Sequence, residues 1–506
     1  MALAKLGSVA AEGIAASEVK VEVDVSSGLP GFIVVGLADK AVEESRERVR
    51  SALKHSGFTF PLSRITVHLA PSERKKSGVH FDLPIALGVL LADNQLKTNP
   101  RLTKTLFVAG LSLDGQLQAI HGTLIFVEWA KKHGYEAVVM PRANLGEGSL
   151  VEGISLVGLE NFSQVIGWIN GEFSPQEEAA NEEPEQSEIL DDDWLQIQGQ
   201  EKAKRAALIA AAGGHNLLLE GPPGAGKTLV ARGLRALLPP MDRDEMIEVV
   251  KLYSVSGELK TNRALDSLSR PFRSPHHSAS HISIVGGGSN PRPGEISLSH
   301  RGVLFLDELP EFPRNVIEAL RQPLEDGEVH VSRIAQTIRY PASFMLVATM
   351  NPCPCGWLNS AQRDCQCSPY QISQYRKKIS GPILDRIDLF LAVEAVPLGD
   401  LRSPKRDTAE LKTSRTKVGR ARTRQLERNA GRLNANIPGA NVAKICQIDQ
   451  AAQDLLEKAA VKFVITGRSY HKLLKVARTI ADLDDREAIK TGDVAEALQY
   501  RFFSAT

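Results

Sequence analysis

The chain has 506 residues, 42% of them apolar and 24% charged, with 61 Lys and Arg against 60 Asp and Glu. That length predicts about three domains, and the composition is that of an ordinary globular protein, not a disordered chain. A net charge of +1 excludes a polycation that wraps nucleic acid over its whole surface, but leaves local basic patches open. The longest apolar helical run, Pro84–Ala92, falls far short of the ~20 residues a membrane span needs. Glu12 and Glu18 interrupt the first small-apolar stretch, so no signal peptide is legible and the cytoplasm is the expected location.

Residues 1–171 read as an α/β unit. Lys20–Val25 alternates as a strand does, and Phe32–Val35 is an apolar run after Pro30-Gly31. Ala41, Val42, Val49 and Leu53 form a helical stripe over 38–55. Ile65–Leu69 is a strand, Leu83–Leu91 an apolar helix, and Leu106–Leu113 and Ala137–Met140 are further strands around a helix near 124–132. Residues 172–193 carry ten acidic groups and no basic one, which predicts a solvated linker or, less simply, a docking strip for a basic partner. From Trp194 to about residue 400, strands alternate with helices, as a parallel sheet requires. Residues 401–506 open with a basic stretch, eleven Lys or Arg against three acids over 402–432, and continue as helices at 441–461, 469–483 and 491–502.

The chemistry starts at Gly221. Asn216–Glu220 is a short strand that runs into Gly221-Pro222-Pro223-Gly224-Ala225-Gly226-Lys227-Thr228 and then a helix over Leu229–Leu238. This is the phosphate loop in the strand–loop–helix context that gives it meaning. Its backbone N–H groups turn inward around phosphates, Lys227 neutralises charge, and Thr228 reaches Mg²⁺. Val303–Leu306 then ends in Asp307-Glu308, where Asp307 can hold the Mg²⁺ shell and Glu308 can polarise the attacking water. Phe344–Thr349 is another core strand, and Asn351 after it can orient that water or touch the γ-phosphate.

Five cysteines make no disulfide framework, but four form two tight pairs, Cys353-x-Cys355 and Cys365-x-Cys367. Four thiolates can close a tetrahedral structural zinc site; four reduced cysteines are the plainer alternative. Cys446 reads as a small buried hydrophobe. The Gly- and Pro-rich stretch from Ser254 to His300 exceeds what a compact core needs, and its His276, His277, His281 and His300 suit packing better than metal. Glu328–Arg339 predicts a hairpin bearing Arg333 and Arg339.

The order of phosphate loop, strand-Asp-Glu, strand-Asn and Leu384-Asp385-Arg386-Ile387-Asp388 resembles an AAA+ ATPase of the magnesium-chelatase and MCM-helicase branch. More narrowly, Lys76-Ser-Gly-Val-His-Phe-Asp-Leu-Pro, Arg273-Ser-Pro-His-His, Asn351-Pro-Cys-Pro-Cys-Gly and Ser380-Gly-Pro-Ile-Leu-Asp-Arg-Ile-Asp resemble the YifB/ComM family of magnesium-chelatase-like proteins. The resemblance implies ATP, Mg²⁺ and a homo-hexameric DNA motor: a helicase that promotes branch migration in homologous recombination during natural transformation. It implies an α/β fold with a Lon-protease-like front domain, a parallel-sheet AAA+ core and a C-terminal helical lid. Arg386 would be the finger that reaches a neighbour's γ-phosphate and Arg468 the second sensor, against simple surface roles for each. The 254–300 excess would be a helix-2 insert facing a ring's pore. Arg333 and Arg339 would touch single-stranded or branched DNA, unless the hairpin is an ordinary surface one. In the front domain, His80 and Leu124 fall where the protease has its serine and lysine, so acyl-enzyme chemistry is not expected. The alternative is a chelatase-like or chaperone-type ATPase that remodels a protein partner; the fold does not choose between these.

Overall fold

The computed structural model describes residues 3–73, 76–175, 192–259, 269–288, 291–332, 337–360, 362–395 and 406–501. Most of the acidic linker and the hairpin residue Arg333 lie outside them. Among the described residues no helix is long and apolar enough to cross a membrane.

The front unit is built on a four-stranded sheet. Leu3–Glu12 pairs antiparallel with Ala15–Ser26, which pairs antiparallel with Arg64–Ala70, and Gly31–Val35 adds at the edge in parallel. Val19, Val21 and Val23 are buried while the charged residues between them turn outward, as the alternation predicts. The helix Asp82–Ala92 is apolar on every side and is buried on nearly every side. It lies so close to the sheet that a Cβ on Gly88 would sit 2.6 Å from Val23 Cγ2. Its one buried charge, Asp82, is held by a two-pronged pair from Arg48 at 2.6 and 2.9 Å. A second, parallel sheet joins Thr105–Phe107, Ala137–Pro141 and Ser155–Leu159.

Several expected elements are divided. The stripe over 38–55 becomes two helices, Lys40–Glu43 and Ser45–His55. The run Leu106–Leu113 leaves its sheet after Phe107, because the Ala109 N–H turns to the His80 carbonyl. At the linker's ends, Phe173 packs on the front core and Asp192–Leu195 is already a helix, with Trp194 buried beside Gly233.

The second unit carries a five-stranded sheet, parallel throughout, in the spatial order Phe272–Arg273, Val303–Leu306, Met345–Met350, Leu217–Glu220, Leu389–Ala392. The stretch taken as an insert therefore supplies the sheet's edge strand. The rest of its described residues fold back on the core through Ile284 and Ile296. His300 is structural: its Nε2 lies 3.0 Å from Glu248, and its Nδ1 accepts the Ser343 N–H at 3.0 Å.

One face of the sheet is covered by helices from both ends of the unit: Glu201–Gly213, Thr408–Arg428, Gln450–Lys462, Gly467–Leu483 and Thr491–Gln499. The segment expected as one helix over 441–461 is two, since Asp449 caps a new start. The basic stretch is a long helix, and the fold uses several of its cations. Arg422 is buried on the Ala211 carbonyl at 2.9 Å, Arg424 pairs with Asp485 at 2.8 Å, and Arg428 grips buried Asp482 at 2.7 Å.

The two units meet along the helices Thr123–Lys132 and Arg243–Ser256. The buried Glu147 carboxylate accepts the Leu124 N–H at 2.7 Å and the Ser254 hydroxyl at 2.5 Å, and Ser254 accepts the Gly122 N–H at 2.7 Å. Lys251–Glu128 and Arg243–Glu152 flank this joint at 2.8 and 2.6 Å.

Candidate functional site

The phosphate loop leaves the sheet at the carboxyl end of Leu217–Glu220, between the parallel strands Met345–Met350 and Leu389–Ala392, the end at which open α/β sheets form their ligand crevice. Glycine is required for different reasons along it. A Cβ on Gly221 would fall 2.3 Å from the Val393 carbonyl, whereas Gly224 and Gly226 have φ of +76 and +82 and face open space. The loop's mouth is therefore free for phosphate. Lys227 starts the following helix; its ammonium donates to the Gly221 and Pro222 carbonyls at 2.6 and 2.9 Å and to Asn351 Oδ1 at 3.1 Å. Burial lowers its pKa below the usual lysine range, opposed by the nearby charges of Asp307, Glu308 and Glu220. The expected helix 229–238 ends early and tightens into a 3₁₀ turn at Leu234–Leu237.

The structure brings Thr228, Asp307 and Asn351 to the same place. The Thr228 hydroxyl donates to Asp307 at 3.2 Å, the pair that a Mg²⁺ ion would share. Glu308 follows with φ +54, a left-handed conformation rare outside glycine, and its side chain is exposed toward the crevice. Thr349 explains how that turn is held: its hydroxyl donates to Asp307 and accepts the Glu308 N–H at 2.9 Å. The sequence reading missed Thr349; the signal was one hydroxyl in the apolar run Met345–Met350. It also missed Glu220, buried at the loop's entrance and paired with Arg376 at 3.0 Å.

Arg386 is elsewhere. It precedes the strand Leu389–Ala392, the parallel neighbour of Leu217–Glu220, so it sits at the amino end of the strands while the phosphate loop leaves their carboxyl end. It pairs with Glu325, not with Asp385 or Asp388, and donates to the Pro382 carbonyl at 2.7 Å. Asp388 instead accepts the Asn216 N–H at 3.1 Å. Arg468 is exposed at the start of the helix Gly467–Leu483. One turn on, Lys472 donates to the Asp385 and Ile387 carbonyls, so Arg468 shares the Arg386 side of the molecule. Neither arginine is among the groups that Lys227 contacts or whose charge it feels.

The four cysteines converge. Cys353 Sγ lies 3.4 Å from Cys355 and 3.6 Å from Cys365, and all four sulfurs fall within 4.8 Å of one another. A tetrahedral zinc with Zn–S of about 2.3 Å needs sulfurs roughly 3.8 Å apart, so the set fits the ion. Backbone N–H groups of Trp357 and Gln366 lower the Cys355 thiol toward the thiolate, while Cys365 and Cys367, each against a lowering backbone N–H, are raised by desolvation and the crowded sulfurs. Among the described residues no other His, Cys, Asp and Glu group converges this way. Cys446 is buried, as expected.

The hairpin Glu328–Ser332/Thr337–Pro341 is formed, with Val329, Val331 and Tyr340 inward and Arg339 exposed. In the front unit His80 is enclosed: its Nε2 lies 2.8 Å from the Val9 carbonyl and its ring between Phe81 and Phe126. Leu124 is buried in the joint with Val250. Neither position carries the serine hydroxyl or the lysine amine of a Ser–Lys dyad.

Three family models match in succession: subunit ChlI of Mg-chelatase over residues 21–144, magnesium chelatase subunit ChlI over 193–401, and the ChlI C-terminal model over 409–501. The competence protein ComM of Haemophilus influenzae is 44% identical over 510 residues, covering 99% of this chain and 98% of that protein. The YifB protein of Escherichia coli is 39% identical over 501 residues, covering 99% and 97%. The magnesium-chelatase 38 kDa subunit of Rhodobacter capsulatus is 30% identical over 174 residues, 31% of this chain and 49% of that subunit. With its phosphate crevice and a full-length match to ComM and YifB, the chain belongs to the YifB/ComM family of magnesium-chelatase-like AAA+ proteins.

Proposed function

We propose that this protein is an ATP-driven DNA motor: a homo-hexameric helicase that promotes branch migration during natural transformation. The observation that carries this reading is the ATP crevice in a chain matched end to end by a protein named for competence. In it the phosphate loop, Gly221 to Thr228, holds ATP, Thr228 and Asp307 hold Mg²⁺, Glu308 polarises the water and Asn351 orients it. Arg386 and Arg468 serve a neighbour's nucleotide. Their place at the amino end of the strands, away from the phosphate loop, supports action between subunits, since a head-to-tail ring sets one subunit's far side against the next one's crevice. Arg386 must then exchange Glu325 for phosphate on assembly.

The four cysteines hold a structural zinc. The front domain is a Lon-protease-like fold without its chemistry, and Arg333 and Arg339 touch the DNA backbone. The alternative, remodelling of a protein partner, draws on the chelatase-subunit models, but two individual chelatase subunits each match over 31% of the chain, against 99% for ComM. ATPase turnover with and without single-stranded, duplex and branched DNA tests the choice. Stimulation by DNA supports the motor, and indifference to every DNA favours remodelling.

A further inference from the structure

The helix Pro369–Arg376 begins directly after the last cysteine, and its N-terminus is fixed by a capping box between Ser368 and Gln371. Its final residue, Arg376, reaches Glu220, the last residue before the phosphate loop. At the other end of the cysteine segment, Asn351 accepts Lys227. Between them the turn closed by the Gly356 N–H on the Cys353 carbonyl lies against the loop itself. A Cβ on Gly356 would be 2.7 Å from Pro223 Cδ. One segment thus touches the phosphate loop before, within and after its glycines.

We propose that Arg376 is a positioning residue for ATP binding, and that the cysteine segment is a clamp that keeps Lys227 available to phosphate. The electrostatics supply the reason. Glu220 is buried, its side chain 11% exposed, and Arg376 is the cation that pairs with it. A buried carboxylate that loses its partner seeks another. The next cation whose charge it feels is Lys227. Arg376 therefore occupies Glu220 so that the lysine stays on the loop carbonyls and Asn351, from which ATP can take it. Gly356 acts sterically in the same unit: any side chain there pushes Pro223 inward, and its φ of +83 favours glycine besides.

The clamp rests on the nucleotide-site reading, and its link to metal rests on the zinc reading; the measurements separate all three. The full-length protein is titrated with a fluorescent ATP analogue, with zinc content and thermal midpoint measured on each sample. Arg376→Ala should weaken the analogue about tenfold and raise KM more than it lowers kcat, with zinc content unchanged. Arg376→Lys should recover part of the loss. The deciding variant is Glu220→Gln with Arg376→Ala, which should bind nearly as wild type, because no carboxylate remains to divert Lys227. Gly356→Ala should weaken binding with zinc retained. Wild-type affinity in Arg376→Ala, or no recovery in the double variant while the fold is intact, overturns the positioning role. A wild-type chain without zinc whose Arg376→Ala still loses affinity removes the zinc reading and keeps the clamp. A wild type that binds no ATP analogue at all removes the nucleotide-site reading and the clamp with it.

Discussion

At the scale of single residues, position in the crevice separates binding from turnover. Lys227→Ala and Asp307→Ala should abolish ATP hydrolysis with little effect on folding, since neither side chain fills the apolar core. Glu308→Gln should bind ATP and fail to turn it over, because the Thr228–Asp307 pair for Mg²⁺ stays while the base is gone. Hydrolysis by Glu308→Gln at the wild-type rate would exclude the assignment. His80 makes a different prediction. Burial lowers its pKa from 6.5 to about 4, so the folded state holds it neutral. The unfolded chain binds a proton below pH 6.5 that the folded chain refuses. The His80 contribution is therefore complete above pH 6.5 and is lost as pH falls toward 4, a change of about 3 kcal/mol. Denaturation of wild type and His80→Gln at pH 7 and pH 4.5 checks it: the variant should be weaker at pH 7 and should show a smaller acid loss.

At the scale of elements, the cysteine segment joins two tight pairs across nine residues, and no long apolar run supports it. A metal held there would supply much of its local stability, since binding energy at such sites is folding energy. Cys353→Ser should lower zinc content from one per chain and lower the thermal midpoint with it; elemental analysis of metal-replete protein that finds no zinc would remove the site. What the sequence made legible here were elements whose signal is local. The strand Val303–Leu306, the apolar helix Asp82–Ala92 and the glycine spacing of the loop all announce themselves in a few residues. Where a long-range contact decides, the reading failed. The His80 carbonyl breaks the run after Phe107, and the pairing of Ile448 with Ile489 breaks the helix that Asp449 then restarts. The edge strand Phe272–Arg273 is two residues long, too short for any periodicity, and only its pairing with Val303–Leu304 makes it a strand. Glu220, Thr349 and Arg376 were invisible for the same reason: their roles exist only once distant strands are side by side.

At the scale of the whole molecule, the placement of Arg386 at the opposite end of the strands from Lys227 bears on how turnover is organised. If it completes a neighbour's site, Arg386→Ala should bind ATP normally and hydrolyse it poorly. Fingers acting in trans contribute about 10³–10⁵ in rate in GTPases. Mixing Arg386→Ala with Lys227→Ala subunits should restore some activity, because a mixed ring contains interfaces with both residues intact; no recovery in subunits shown to co-assemble would end the trans role.

The same scale bears on what the ATPase acts on. A near-neutral chain could contact DNA only through local patches, and the basic helix Thr408–Arg428 has committed Arg422, Arg424 and Arg428 to the fold. The hairpin is the better candidate: Arg339 is exposed, on a strand whose inward face is anchored by Tyr340. Replacing Arg333 and Arg339 with alanine should weaken DNA stimulation and leave basal ATPase nearly intact. DNA stimulation should itself fall with salt, because each phosphate contact releases counterions. A forked or three-stranded DNA at low salt is the substrate that decides. Wild type should displace or migrate strands only with hydrolysable ATP, Glu308→Gln should not, and the hairpin variant should hydrolyse ATP without moving DNA. An assembled wild type that neither binds nor moves such DNA would transfer the ATPase to a protein substrate.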